Sequence, residues 1–137
     1  MHAPKVLRFA VPMLVALAAC APARDSSSPK VLEQGRTYTN WLYGKEYGKL
    51  YARLAPEMRQ VFGSAAELGA FAGQAVGSLG QERHVADERV VDEQHDKVYA
   101  RTASFAGARK PVTIEWSLTP SGAVNGLLVK PAEDSKD

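Results

Sequence analysis

The sequence predicts an α+β fold in which N-terminal helices pack on a curved antiparallel four-stranded sheet. Three observations carry this. Up to Gly80 the apolar residues recur at spacings of three and four, the period of an amphipathic helix. After Gly80 the period changes to two, in runs rich in β-branched and aromatic residues. The connections between those runs are short, which makes neighbouring strands antiparallel. Helices first and a meander second leave one face of the sheet for the helices to cover.

From Lys30, the residues Val31, Tyr38, Trp41 and Leu42 fall on one broad helical face, and Gly44 ends the run. Tyr47, Leu50, Tyr51 and Leu54 then form a second stripe, which stops before Pro56. "PEMRQVF" reads as a short turn of helix with Pro56 at its first position. In "SAAELGAFAGQAVGSLG", Ser64 and Glu67 have the spacing of a capping box, and Leu68, Phe71, Ala72, Ala75 and Leu79 form the apolar face. Gly80 is the expected stop. Gly69, Gly73 and Gly77 recur every four residues and leave one side of this helix bare, so that a neighbour can come close at a cost in helix propensity.

The strands are expected at 83–93, 97–105, 111–118 and 123–129. In the third, Val112, Ile114, Trp116 and Leu118 point one way and Thr113, Glu115 and Ser117 the other, giving one buried and one polar face.

The N-terminal part carries an address. Residues 1–19 place Lys5 and Arg8 beside an apolar run from Phe9 to Ala19, too short to span a bilayer, which is the pattern of a secretory signal. The run ends at "LAAC", Leu17 to Cys20, which resembles the bacterial lipobox. That resemblance implies cleavage before Cys20, lipid on its thiol, and a lipoprotein whose second residue, Ala21, favours the periplasmic face of the outer membrane. Cys20 is the only cysteine of the chain, so an internal disulfide or a multi-cysteine metal site is excluded.

Removing residues 1–19 from 137 leaves 118, enough for one core. The same cut removes Lys5 and Arg8 from 17 basic residues and leaves 15 against 15 acidic ones, a neutral chain that gives no reason to expect a nucleic-acid partner. Residues 20–29, "CAPARDSSSP", read as a flexible tether, 30–131 as the folded domain, and 132–137 as a frayed tail.

The phrases "WLYGKEYGKLYARLAPEMRQVF", "LGAFAGQAVGSLGQ" and "VTIEWSLTPSGAVNGLLVKP" resemble the nuclear-transport-factor-2-like (cystatin-like) fold. They are similar to an uncharacterised bacterial family of that fold, found in secreted lipoproteins and ahead of secreted hydrolase domains. The resemblance spans about residues 30 to 131 and rests on packing patterns. It implies a cone of helices and sheet whose mouth holds a small molecule, with Tyr38, Trp41 and Trp116 as candidate ligand contacts. Pairing of two copies through the sheet is a further expectation.

Five aromatics (Tyr38, Trp41, Tyr43, Tyr47 and Tyr51) fall within fourteen positions. Tyr47 and Tyr51 share a stripe with Leu50 and Leu54, so they are read as core. Catalytic signatures are scarce. "SSPK" has a Ser-x-x-Lys spacing but lies in the tether without companion motifs. The acids of "DERVVDEQHD" lack the pattern of a calcium loop and read as a solvated strand edge, and no metal or cofactor is expected.

The first expectation is therefore a membrane-anchored, non-catalytic binding module of the cell envelope, holding an apolar ligand or a protein partner. The alternative is a small cavity enzyme of isomerase, dehydratase or hydrolase type, resembling polyketide cyclases and dehydratases, with Trp41, His84, Arg101 or Glu115 in an acid–base pocket.

Overall fold

The computed structural model describes residues 28–133. The signal, Cys20, most of the tether and the tail from residue 134 lie outside the described residues. Four helices, α1 (Ser28–Tyr43), α2 (Tyr47–Ala52), α3 (Pro56–Val61) and α4 (Ala65–Val76), precede four strands, β1 (Glu82–Glu93), β2 (Asp96–Phe105), β3 (Val112–Leu118) and β4 (Val124–Pro131). The strands form one antiparallel sheet in sequence order, with β1 and β4 at its edges, and the sheet is not strongly curled.

Helix α1 takes in Ser28 and Pro29 from the expected tether and buries Val31, Gly35, Tyr38 and Leu42, spaced four, three and four apart. Gly35 lets the helix settle onto the ring of Tyr99, where a Cβ would overlap the ring carbons. The end of α1 differs from the expected break at Gly44. The left-handed residue is Lys45, at φ 57°. The amide of Glu46 donates to the Trp41 carbonyl (2.9 Å) and that of Lys45 to Leu42 (3.3 Å), the paired bonds of a Schellman ending.

Pro56 opens α3 as expected. At α4 the Ser64 hydroxyl accepts from the Glu67 amide (3.2 Å), while the Glu67 carboxylate reaches back to the amide of Gly63 (2.6 Å) rather than to that of Ser64. Helix α4 ends at Val76, four residues before Gly80, because the turn that follows is closed by Gly77 and by the Leu79 amide on Val76 (3.1 Å). Gly80, at φ 70°, turns the chain into β1 instead. Phe71, expected in the core, is 43% exposed and packs on Phe62 at 5.2 Å, since the buried side of α4 is narrowed to Leu68 and Ala72.

The core lies between the helices and one face of the sheet. On β3 this face carries Val112, Ile114, Trp116 and Leu118, all buried, and the register sets Tyr99 beside Trp116 and Arg101 beside Ile114. The opposite face is less polar than alternation predicts. It buries Thr113, Val98 and Ala100 among longer neighbours and exposes Val91 and Leu128.

Strand β1 departs from strict alternation. Two register shifts, between Glu82 and His84 and between Val85 and Asp87, bring Glu82, Val85 and Glu88 to the helix side at intervals of three. His84, which strict alternation would place beside Glu82 and Glu88, turns to the other face.

Candidate functional site

A polar cluster sits where α1 crosses β1 and β2. The guanidinium of Arg101 donates to both oxygens of Glu82 (2.5 and 3.0 Å) and to Glu88 (3.3 Å). Arg36, one turn before Asn40 on α1, grips Glu88 with two further bonds of 2.6 and 2.9 Å. The phenol of Tyr43 donates to Glu82 (2.7 Å), and that of Tyr99 donates to Glu88.

These contacts fix the protonation states. The bond from Arg36 leads in holding the Glu88 carboxyl down at about 2, against the opposing effect of burial. Burial alone would raise Glu82, but hydrogen bonds from Arg101 and Tyr43 outweigh it and leave it lowered. Burial, then the bond to Glu82, pushes Tyr43 upward, and burial and Glu88 push Tyr99 up to about 12. Arg101 is raised chiefly by its bond to Glu82. At neutral pH the cluster therefore holds two carboxylates, two guanidiniums and two intact phenols. Its charges cancel, and neither carboxylate is poised as a base near pH 7.

Next to this cluster a cleft of about 800 Å³ opens between the ends of α1 and α4 and the start of the sheet. Leu42, Tyr43, Tyr47, Val76, Leu79 and Phe105 form its apolar walls, Glu82 and Gln81 its polar side, and Lys45 stands on its lining. Tyr43 and Phe105 meet edge-to-face at 6.0 Å. The glycine side of α4 shapes the space. Gly69 receives the Tyr47 ring, where a Cβ would lie 2.6 Å from Cδ2, whereas a Cβ on Gly73 would meet nothing within 4 Å. One glycine seats a neighbour and the next leaves the cleft open.

The residues expected at a cavity mouth are placed elsewhere. Trp116 is 1% exposed, and its indole N–H donates to Thr39 Oγ1 (3.0 Å). Tyr38 is 2% exposed, donating to the Gly122 carbonyl (2.6 Å) and accepting from Arg53 (3.2 Å). Both are core residues with their polar atoms satisfied. Trp41 is half-buried beside a smaller groove of about 250 Å³ shared with Glu33, Thr37 and Arg53, with the Lys49 ammonium 5.9 Å from its ring.

The expected acid–base residues do not converge. Arg101 faces the helices, while His84 and Glu115 lie on the helix-free face. There His84 pairs in register with Ser104 and Glu115 with Ala100, roughly 13 Å apart along β2, and Glu115 is bound to Lys130 at 3.3 Å. Among the described residues, no three His, Cys, Asp or Glu side chains are grouped as a metal ion would require.

Glu82 and Tyr99 carry no signal in the sequence, Tyr43 is visible only as one of five clustered aromatics, and Glu88 only as one acid of a charged strand. Glu88 reads as a solvated strand acid and Glu82 falls just before the expected strand, until the register shifts of β1 turn both inward. The glycine repeat of α4 predicts a close neighbour, which Gly69 has in Tyr47, whereas at Gly73 the same bare side faces open space in the cleft. Comparison of the chain with protein-family models, with curated proteins and with solved structures finds no match.

Proposed function

We propose that the protein is a non-catalytic binding module of the bacterial cell envelope. Lipid on Cys20 holds it at the periplasmic face of the outer membrane, and its cleft takes an apolar ligand. The observation that carries this reading is the cleft itself. Its walls are apolar, its volume is in the range of small-molecule sites, and its one acid, Glu82, is neutralised by Arg101 and Tyr43. A pocket built this way gains binding energy from apolar area and offers no proton-transfer group to a substrate.

The nuclear-transport-factor-2-like reading belongs to the same proposal. It is supported by the order of helices and strands and by a cleft between them at one end of the sheet. The helix-free face, with Val91 and Leu128 exposed, is the surface on which a second copy or an envelope protein would pair.

The test uses the full chain in phosphatidylcholine vesicles with a diazirine-bearing hexadecanol, followed by peptide mapping of the photolabel. Label is expected on peptides containing Tyr47, Val76 or Phe105. Gly73→Phe, which fills the space left open on α4, should remove it with little change in melting temperature. Absence of label from the cleft would overturn the reading. For the anchor, Cys20→Ser should abolish palmitate labelling and leave a longer precursor, and unchanged processing would reject lipidation.

A further inference from the structure

The ending of α1 places a lysine where glycine is the usual residue. A Schellman ending needs one residue in the left-handed region, and glycine adopts it without penalty. Gly44 is adjacent, yet the left-handed position is occupied by Lys45, at φ 57°. An L-residue held there stores strain, and such strain collects where a side chain is being aimed. Lys45 is one of the residues that line the cleft, and it is exposed at its mouth.

The charges around Lys45 sharpen the point. The neighbouring acid in sequence, Glu46, is engaged by Lys49 at 2.7 Å. The acid of the cleft wall, Glu82, is engaged by Arg101 and Tyr43. Among the described residues, the Lys45 ammonium has no carboxylate partner. The cleft therefore has apolar walls and one uncompensated positive charge.

We infer that the cleft takes a single-chain amphiphile with an anionic head, its chain along the bare side of α4 and its head on the Lys45 ammonium. This rests on the cleft reading above and adds the ligand's charge to it. An apolar wall alone would take an alcohol and a carboxylate of equal chain length without preference. A charge-assisted bond from Lys45 favours the carboxylate by about tenfold.

The test compares two diazirine probes of one chain length, palmitic acid and hexadecanol, on the full chain in phosphatidylcholine vesicles, mapped to the cleft peptides. Wild-type protein should take the palmitate probe about tenfold more efficiently than the alcohol. Lys45→Gly should erase that preference, lowering palmitate labelling about tenfold and leaving hexadecanol labelling unchanged. The same substitution relieves the left-handed strain, so its melting temperature should stay equal or rise, which separates a ligand role from a folding role. Lys45→Gln, which keeps side-chain bulk, should behave like Lys45→Gly in labelling. Equal labelling by both probes, or a preference that survives Lys45→Gly, would overturn the inference and leave the cleft reading standing. Labelling of the cleft by neither probe would overturn both.

Discussion

Replacing Thr39 with valine should reveal the cost of leaving one indole N–H unpartnered. Thr39 is fully buried. Its hydroxyl donates to the Gly35 carbonyl at 2.7 Å and accepts from Trp116 Nε1 at 3.0 Å. Valine keeps the shape of threonine and removes only the hydroxyl. The Gly35 carbonyl keeps its helical partner, whereas the Trp116 donor, buried on a side chain 1% exposed, has no water to turn to. A buried donor left unsatisfied costs about 1 to 3 kcal/mol, so Thr39→Val should destabilise by that amount. In a Trp116→Phe background the donor is already gone, and adding Thr39→Val should cost close to nothing. The two substitutions should thus be coupled by about 1 to 3 kcal/mol. Urea unfolding followed by circular dichroism at pH 7 measures all four corners of the cycle. Equal losses from Thr39→Val in both backgrounds would refute the hydrogen-bond account and assign the effect to packing.

Two further predictions concern neighbouring features. Gly35→Ala gains about 1 kcal/mol in helix propensity but drives a methyl into the anchored Tyr99 ring, so it should lower stability by about 2 kcal/mol or more; Gly73→Ala, with open space, should raise it by about 0.5 to 1 kcal/mol. Thermal melts of the two variants should move in opposite directions, and a shared sign would refute the packing contrast between Gly35 and Gly73. Glu88→Gln tests the charge cluster. A carboxyl held at about 2 instead of 4.5 is worth at most about 3 kcal/mol, and because Arg36 is half-exposed, screening reduces this to about 1 to 2 kcal/mol. A lowered carboxyl stabilises fully above its unfolded value and loses that stability as pH falls through its folded one. The deficit of Glu88→Gln should therefore be constant from pH 7 to about 5 and shrink towards pH 2 in urea titrations. A deficit independent of pH would point to lost packing.

The elements were legible because their period was strong. The stripe from Val31 to Leu42, the Pro56 start, the Ser64 cap and all four strands lie close to where spacing and turn residues put them. The sites of ambiguity were those where one residue shifts a side chain to another face. Alternation alone cannot reveal the two shifts in β1, so it leaves Glu88 on a solvated edge, says nothing of Glu82, and makes His84 a cavity candidate. The aromatic density of residues 38 to 51 was visible, but its division was not. Tyr38 has a carbonyl to reach 84 positions away and becomes core, whereas Tyr43 finds Glu82 and becomes cleft wall. Those partners depend on register and on the crossing of α1 over the sheet, which no local pattern encodes. Lys45 illustrates the same limit: Gly44 marked the turn correctly, but not which of the two residues would take the left-handed position.

The meander of the sheet also sets a timetable for folding. Each strand pairs with its neighbour in sequence, so hairpins can close within about 1 to 10 μs of their residues being available. The contacts that seat the helices are of another kind. Thr39 waits for Trp116, 77 positions later, and Tyr38 for Gly122, 84 positions later. The link between residues 53–55 and Val124 also waits for β4. At a synthesis rate of about 5 to 20 residues per second, the apolar stripe of α1 exists for roughly 4 to 15 s with no sheet to cover it. The helices are the first part of the domain to be made and the last to be secured, so during those seconds the nascent chain must be protected by something other than its own core.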